Sequence, residues 1–587
     1  MVKLFLLLTL CGFIILTYGR TSENLKVQLP DGSRIIGRYL TSDSGKGIRA
    51  FLGVPYAEPP LGDLRFKAPQ KKKPWNFELK AHNDPPICIQ RDPFRRDYEI
   101  SGSDDCLYIN IYTPEKIEKL LPVMVFFHGG GFMCGSGIKP FYGPDYLLEH
   151  DVIYIGANYR VGPLGFLSTG DDNSPGNFGL KDQVFILKWI NENIEVFGGD
   201  KNLVTIFGES AGGASVTYHM HSHLSKGLFH RGIAQSGTNL APWGAVAHRN
   251  VAQERAKIMG EKMNCPTHDN SEMMACLRKA SPQKITEAFY DYFKWDTDPM
   301  VPFPPVIEHE HEGAFLTENP RFKFDMHGND VPLMTGVTSE EGVLKTGALI
   351  YNKDLTADLL KNWERALPIS LYYDHHNQQK QDEITKKIDE FYFNNQKLTL
   401  DTQKNFTDLW TDGWFFHAMI DYLKLRFSNE KRAPTYIYLF THKGAASFSE
   451  IFKAGSETYY GTAHAEELQY IFPIRKDLHY FFNSIPTEQD KKISKILTKL
   501  WVNFAYTGNP TPTEVEGLIW KEANAFPLDY MRIGNEMKTE TKGQILMSIE
   551  KDLNPERANF WNELKAHYPA DDDDIEVTTR KTMKGEL

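Results

Sequence analysis

With 587 residues, 41% of them hydrophobic and 13% aromatic, the chain has the composition of a globular protein. It is long enough for several average domains or one large α/β enzyme. A formal net charge of −10 leaves no basic footprint for nucleic acid, and a balance of this size reads simply as solubility.

At the N-terminus, Lys3 precedes an apolar run over residues 4–16, closed by Thr17-Tyr18-Gly19. The run is short for a membrane span and reads as a secretory leader over residues 1–19. No later stretch approaches the ~18 apolar residues a membrane helix needs. The mature chain is therefore expected without a transmembrane segment, in an oxidising compartment. Cys11 leaves with the leader, and Cys88, Cys106, Cys134, Cys265 and Cys276 remain. Neighbouring pairs 88/106 and 265/276 would close short loops and leave Cys134 free, although spacing alone does not fix that connectivity. One glycosylation sequon is present, Asn405-Phe406-Thr407.

Residues 26–70 alternate over short stretches and predict a small antiparallel sheet leading into residues 51–60. The prolines of that segment exclude a helix. From Cys106 onward, short apolar runs read as strands: 107–112, 123–127, 151–158, 204–207, 232–235, 332–336 and 436–440. Residues 181–193 have helical spacing, with Val184, Leu187 and Ile190 on one side. The alternation predicts an α/β fold with a large, mostly parallel central sheet flanked by helices. Residues 357–432 read as polar, helix-rich insertions. No linker divides the body, taken as one domain over residues 20–568. The acidic run 571–574 opens a polar tail over residues 569–587.

Residues 204–213 carry the chemistry. Val204-Thr205-Ile206-Phe207 ends as a strand at Gly208, and small residues able to open a helix begin at Ala211. Between them, Gly208-Glu209-Ser210-Ala211-Gly212 is a G-x-S-x-G turn in its strand–turn–helix setting, with Ser210 as the candidate nucleophile. A serine hydroxyl needs a base, a group that orients the base, and donors for the developing oxyanion. His128-Gly129-Gly130-Gly131 follows a strand and offers two backbone N–H groups, and Ala211 offers a third. The acid is expected between nucleophile and base in the chain, where either Glu340 or Glu341 would serve. His464, in a small-residue loop beyond a late strand, is the candidate base.

Taken together, these motifs resemble the type-B carboxylesterases, the family that includes cholinesterases, juvenile hormone esterases and insect α-esterases. The resemblance runs over about residues 26–566. Its further motifs are residues 51–57, residues 103–110, Ala234-Gln235-Ser236-Gly237 and Glu340-Glu341-Gly342. It implies an α/β-hydrolase fold, and a serine carboxylesterase working through an acyl-enzyme on small-molecule esters without a cofactor. It makes Glu341 the acid, His464 the base, and Gly130, Gly131 and Ala211 the oxyanion donors. Ser236 matches a supporting serine and Trp243 a residue near the acyl pocket, and the pairs Cys88–Cys106 and Cys265–Cys276 are implied disulfides. A stalled phosphoserine would make such a protein an organophosphate scavenger.

Two departures bear on substrate. Between Cys88 and Cys106 stand Phe94 and Tyr98 but no Trp, so the choline-stacking residue of the cholinesterases has no counterpart. Glu209 precedes the nucleophile where juvenile hormone esterases usually carry Gln, which resembles general carboxylesterases acting on xenobiotic or lipid-like esters. Phe132, Phe303 and Tyr459 are candidates to line an apolar gorge. Adhesion proteins of this family typically lack the nucleophile, whereas Ser210 is present. The histidine runs His219/His221/His223 and His309/His311 lack metal-ligand spacing, so no metal is expected. Cys134 reads as a buried thiol. The terminal Lys584-Gly585-Glu586-Leu587 resembles an endoplasmic-reticulum retrieval signal and implies a retrieval receptor as partner, with the lumen as location and secretion as the alternative.

Overall fold

The computed structural model describes residues 25–93, 99–244, 249–394, 402–452, 460–474, 485–535 and 546–568. The leader 1–19, the tail 569–587 with its terminal tetrapeptide, and Phe94, Tyr98 and Tyr459 lie outside these residues.

Eleven strands form the central sheet. Along the chain they are β1 (Arg38–Thr41), β2 (Gly47–Pro55), β3 (Tyr108–Pro114), β4 (Leu121–Phe127), β5 (Ile153–Ala157) and β6 (Gly199–Glu209). The remainder are β7 (Arg231–Gln235), β8 (Leu333–Thr338), β9 (Thr435–Phe440), β10 (Asp529–Ile533) and β11 (Met547–Lys551). Their order across the sheet is β11-β10-β9-β8-β7-β6-β4-β5-β3-β2-β1. Every pairing from β5 through β10 is parallel, and the outer pairings are antiparallel. The predicted α/β-hydrolase architecture is the observed one.

The strand β4 explains how the sheet is held. Its sequence, Leu-Pro-Val-Met-Val-Phe-Phe, is buried throughout, as expected for a strand covered on both faces. Period-two alternation sends Val123, Val125 and Phe127 to one core and Met124 and Phe126 to the other. The first core receives α1 (Phe178–Asn193) and α2 (Ala211–Met220), and the expected α1 face of Val184, Leu187 and Ile190 is buried there. The second receives Ile493, Leu497, Leu500, Trp501 and Phe504 of a helix at Glu488–Thr507.

The small N-terminal sheet differs from expectation. Lys26–Gln28 pairs antiparallel with Arg34–Ile36, but Glu78–Lys80 adds to the latter in parallel, so the sheet is mixed. Residues 51–55 belong instead to β2 of the main sheet, because Val54 and Ile109 are both apolar and register with one another there. Residues 353–427 are helical over most of their length, as the insertions were expected to be. Among the described residues no helix is long and apolar enough to cross a membrane.

Candidate active site

The parallel strands deliver the candidate residues to one edge. Phe127, Glu209, Gln235 and Thr338 end β4, β6, β7 and β8, and the loops that follow carry Gly130, Ser210, Ser236 and Glu341. Clefts at the carboxyl ends of such strands are where open α/β sheets bind ligands.

Ser210 sits at the turn between β6 and α2 with φ 59° and ψ −122°, a conformation that disfavours a side chain and is held by its surroundings. Its amide donates to the Gln235 carbonyl at 2.8 Å. A Cβ on Gly208 or Gly212 would collide with the carbonyl oxygen of Phe127, and one on Gly237 with that of Ser210. The glycines therefore permit close packing of the turn against β4 and the β7 exit.

The candidate oxyanion loop leaves β4 with Gly130 at φ 100° and Gly131 at φ 59°. A Cβ on Gly130 would meet the Cys134 carbonyl, which the tight turn folds back over it. Met133 and Cys134 donate their amides to the Gly130 oxygen. Among the described residues no acceptor takes the amides of Gly130 or Gly131. Ala211, first residue of α2, has no preceding turn to accept its own. His128 orders the loop from beneath: its carbonyl accepts from Tyr159 Oη at 2.6 Å, and its ring stacks on that of Tyr159. Burial lowers the His128 pKa to about 4, so the ring is neutral.

Glu341 is fully buried. Its Oε1 accepts from Ser236 Oγ at 2.5 Å and from the Thr338 amide at 2.7 Å, and its Oε2 lies 2.6 Å from His464 Nδ1. The neighbouring alternative, Glu340, does something else. Its Oε2 accepts from the Thr462 amide at 2.8 Å and so anchors the loop that carries the histidine.

Glu209 supplies a contact that the sequence did not reveal. Its Oε1 stands 3.0 Å from His464 Nε2, so the imidazole lies between two carboxylates. Burial disfavours the imidazolium, and Glu209 and Glu341 more than reverse this, raising the His464 pKa to about 10. Ser210 Oγ makes no hydrogen bond to His464 among the described residues; Glu209 Oε1 faces that nitrogen as an ion-pair partner. A further carboxyl, Glu467, is buried below, accepting from Gln235 Nε2 and Tyr438 Oη. Burial, with the charges of Glu209 and Glu341, raises its pKa to about 7.

Aromatic packing fixes the ring's plane. Phe415 lies 4.4 Å from His464, on a widened i→i+5 turn at Asp412–Phe416 between two helices. Such single wide turns recur at functional sites. Trp243 donates its indole N–H to the Trp414 carbonyl and packs on Phe415. Phe132 is buried against Phe166 and Trp243, and Phe303 against Phe289 and Tyr292.

Cys88–Cys106 and Cys265–Cys276 are disulfides, and Cys134 is a buried free thiol. His219 is a core residue held by Gln183 and Ser225. Asn405 lies on the helix Gln403–Thr411, with its side-chain amide donated to the Tyr392 carbonyl.

Residues 23–561 match the model of the Carboxylesterase family. Similar proteins include juvenile hormone esterase of Tribolium castaneum, 36% identical over 81% of this chain and 82% of the relative. Esterase FE4 of Myzus persicae is 35% identical over 83% and 85% of the two chains. Acetylcholinesterase of Bungarus fasciatus is 33% identical over 86% and 82%. A family match spanning the whole sheet, with these identities, leads to one conclusion: the chain belongs to the carboxylesterase family.

Proposed function

We propose that the protein is a serine carboxylesterase in which Ser210, His464 and Glu341 act as nucleophile, base and orienting acid. The observation that carries this is the 2.6 Å Glu341–His464 pair at the strand edge, beside a serine held in a strained turn. As substrate enters, His464 Nε2 leaves Glu209 and takes the Ser210 proton while Oγ attacks the ester carbonyl. The amides of Gly130, Gly131 and Ala211 receive the oxyanion. The tetrahedral adduct collapses, the proton passes to the departing alcohol, and water releases the acid from the acyl-serine by the reverse sequence. Ser236 keeps Glu341 aimed through its 2.5 Å hydrogen bond, and Trp243 holds Phe415 against the imidazole.

Ser210→Ala is expected to reduce turnover of p-nitrophenyl acetate by at least about 10⁴-fold. Undiminished turnover overturns the assignment. Diethyl p-nitrophenyl phosphate is expected to release one p-nitrophenol per protein and leave a diethylphosphoryl group on Ser210. Rapid multiple turnover would refute the scavenger reading.

For substrate, Glu209 and the tryptophan-free segment 89–105 support general xenobiotic or lipid-like esters. The Tribolium relative, named a juvenile hormone esterase, favours a second reading, hormone-ester hydrolysis. A panel pairing acyl-length esters with acetylcholine and a juvenile-hormone analogue separates the two. Residues 1–19 as leader, Asn405 as glycan acceptor and residues 584–587 as a retrieval signal place the protein in the endoplasmic-reticulum lumen in this reading. Deleting the last four residues is expected to release it to the medium, and glycosidase treatment to shift its mass only when Asn405 is intact.

A further inference from the structure

A cavity of about 700 Å³ is lined by three residues that neighbour the site. One is Met133, whose Cε lies 2.9 Å from where a Cβ on Gly131 would stand. Another is Leu344, three residues past Glu341, and the third is Trp414, next to the Phe415 ring that covers His464. A substrate arm that leaves Ser210 past Gly131, on the side of Met133 and Val301, runs toward this space.

The wall of the cavity contains a buried charge. Lys345 Nζ lies 2.9 Å from Asp296 Oδ2 and 2.7 Å from Asp298 Oδ2, and 4.7 Å from the centre of the Trp295 ring. Lys345 belongs to α3 (Val343–Tyr351), the helix that starts directly after Glu341-Gly342. Asp296 and Asp298 belong to the loop that leads to Val301, whose Cγ2 is 3.3 Å from the same Gly131 Cβ position. The ion cluster thus fastens a loop that touches the oxyanion strand turn to a helix that continues from the orienting acid. Val301 is fastened separately by its amide, which donates to Tyr372 Oη at 2.9 Å.

Burying an ammonium is expensive unless it is fully paired, and well-packed apolar residues of like volume would serve stability as well or better. What the cluster adds is directional geometry and a polar surface. An alkyl arm pressing on apolar side chains finds a wall that yields, whereas here it meets Lys345 tied to two aspartic residues, contacts it would have to break.

We propose that Lys345, tied to Asp296 and Asp298, is a specificity-determining residue that limits the length of the unbranched apolar arm the enzyme accepts. This rests on Ser210 as the nucleophile. The test uses the full-length protein and the ratio of kcat/KM for a long against a short ester. It is measured in an acyl series, p-nitrophenyl acetate to octanoate, and in an alcohol series, ethyl to octyl acetate. The triple variant Asp296→Asn, Asp298→Asn, Lys345→Met removes the cluster without stranding a buried charge, and its melting curve reports folding. Its long-to-short ratio is expected to rise at least about tenfold in one series, within the range that a few methylenes command in a pocket. Lys345→Arg keeps the cation in a bulkier fork, so its ratio is expected not to rise above the wild-type value, which a role in folding alone does not predict.

A folded triple variant with unchanged ratios in both series overturns the proposal, as does a Lys345→Arg ratio that moves with the triple variant. Hydrolysis that persists in Ser210→Ala overturns the underlying site, and is told apart from the first failure because it appears in the otherwise wild-type background.

Discussion

His464 Nε2 lies 3.0 Å from Glu209 Oε1, while Nδ1 of the same ring lies 2.6 Å from Glu341 Oε2. The proposed base therefore rests as an imidazolium between two carboxylates, and it becomes a base only when Glu209 gives way. Glu209→Gln keeps the shape and removes one of the two carboxylates. The imidazolium is then less favoured, the His464 pKa falls from about 10, and neutral base is populated at lower pH. The acid limb of kcat/KM is expected to move to lower pH by about one pH unit. A profile that stays in place, or moves to higher pH, contradicts the role given to Glu209.

Gly130 stands at φ 100° with the Cys134 carbonyl folded over its Cα. Alanine there has both the wrong backbone preference and a collision with main chain, so the loop must shift and its amides turn away from the oxyanion. Gly130→Ala is expected to lower kcat for p-nitrophenyl acetate by about 10²–10³-fold, the loss typical of one oxyanion donor. The change should fall on kcat more than on KM, since the donors act on charge that develops only in the transition state. Stopped-flow acylation rates check which step is slowed.

Much of this site was legible because its parts are local in the chain. The elbow around Ser210 and the glycine run after His128 each carry their own backbone signature, and β4 and β6 are continuous apolar runs. What was not legible depends on contacts between distant segments. Position alone did not separate Glu340 from Glu341, since both follow β8; only folding sends one to His464 and the other to the Thr462 amide. Nor does Glu209 announce itself as a partner of His464, 255 residues away. The strands β10 and β11 were missed for another reason. Arg532 and Glu550 pair across them at 2.6 Å at the sheet's margin, so charge interrupts the apolar pattern that marks a buried strand.

Ser236 Oγ donates to the Glu341 oxygen that does not face His464. Ser236→Ala leaves that lone pair to the Thr338 amide alone, and the carboxylate is free to rotate off the imidazole. A hydrogen bond to a charged group is worth about 1.5–3 kcal/mol. If roughly half of that acts in the transition state, kcat falls about 4- to 13-fold with KM nearly unchanged. Thermal stability is expected to fall as well, because Glu341 is fully buried. A variant with wild-type kcat would mean that the Thr338 amide suffices to aim the acid.

Cys265 and Cys276 close an 11-residue loop that ties the segment after the helix Arg249–Lys262 to the helix Asn270–Leu277. Chain-entropy arguments give such a closure about 3 kcal/mol. None of the triad, the oxyanion loop or the ion cluster contacts either cysteine among the described hydrogen bonds and ion pairs. The double variant Cys265→Ser/Cys276→Ser is therefore expected to keep kcat and KM for p-nitrophenyl acetate while losing activity at a lower temperature. Residual activity after timed heating, compared with the wild-type chain with and without reductant, reads this directly. Cys88–Cys106 closes a longer, 18-residue loop, and Cys88 bridges to Ser103 beside the strand Gln90–Arg91. Gln90 in turn accepts from the Gly135 amide at 2.6 Å and donates to its carbonyl at 2.8 Å. Removing that bridge loosens the support of the turn that carries Gly130 and Gly131. Cys88→Ser/Cys106→Ser is thus expected to lower kcat at 25 °C as well as heat resistance. Equal kinetic behaviour of the two double variants would separate the disulfides from the oxyanion loop.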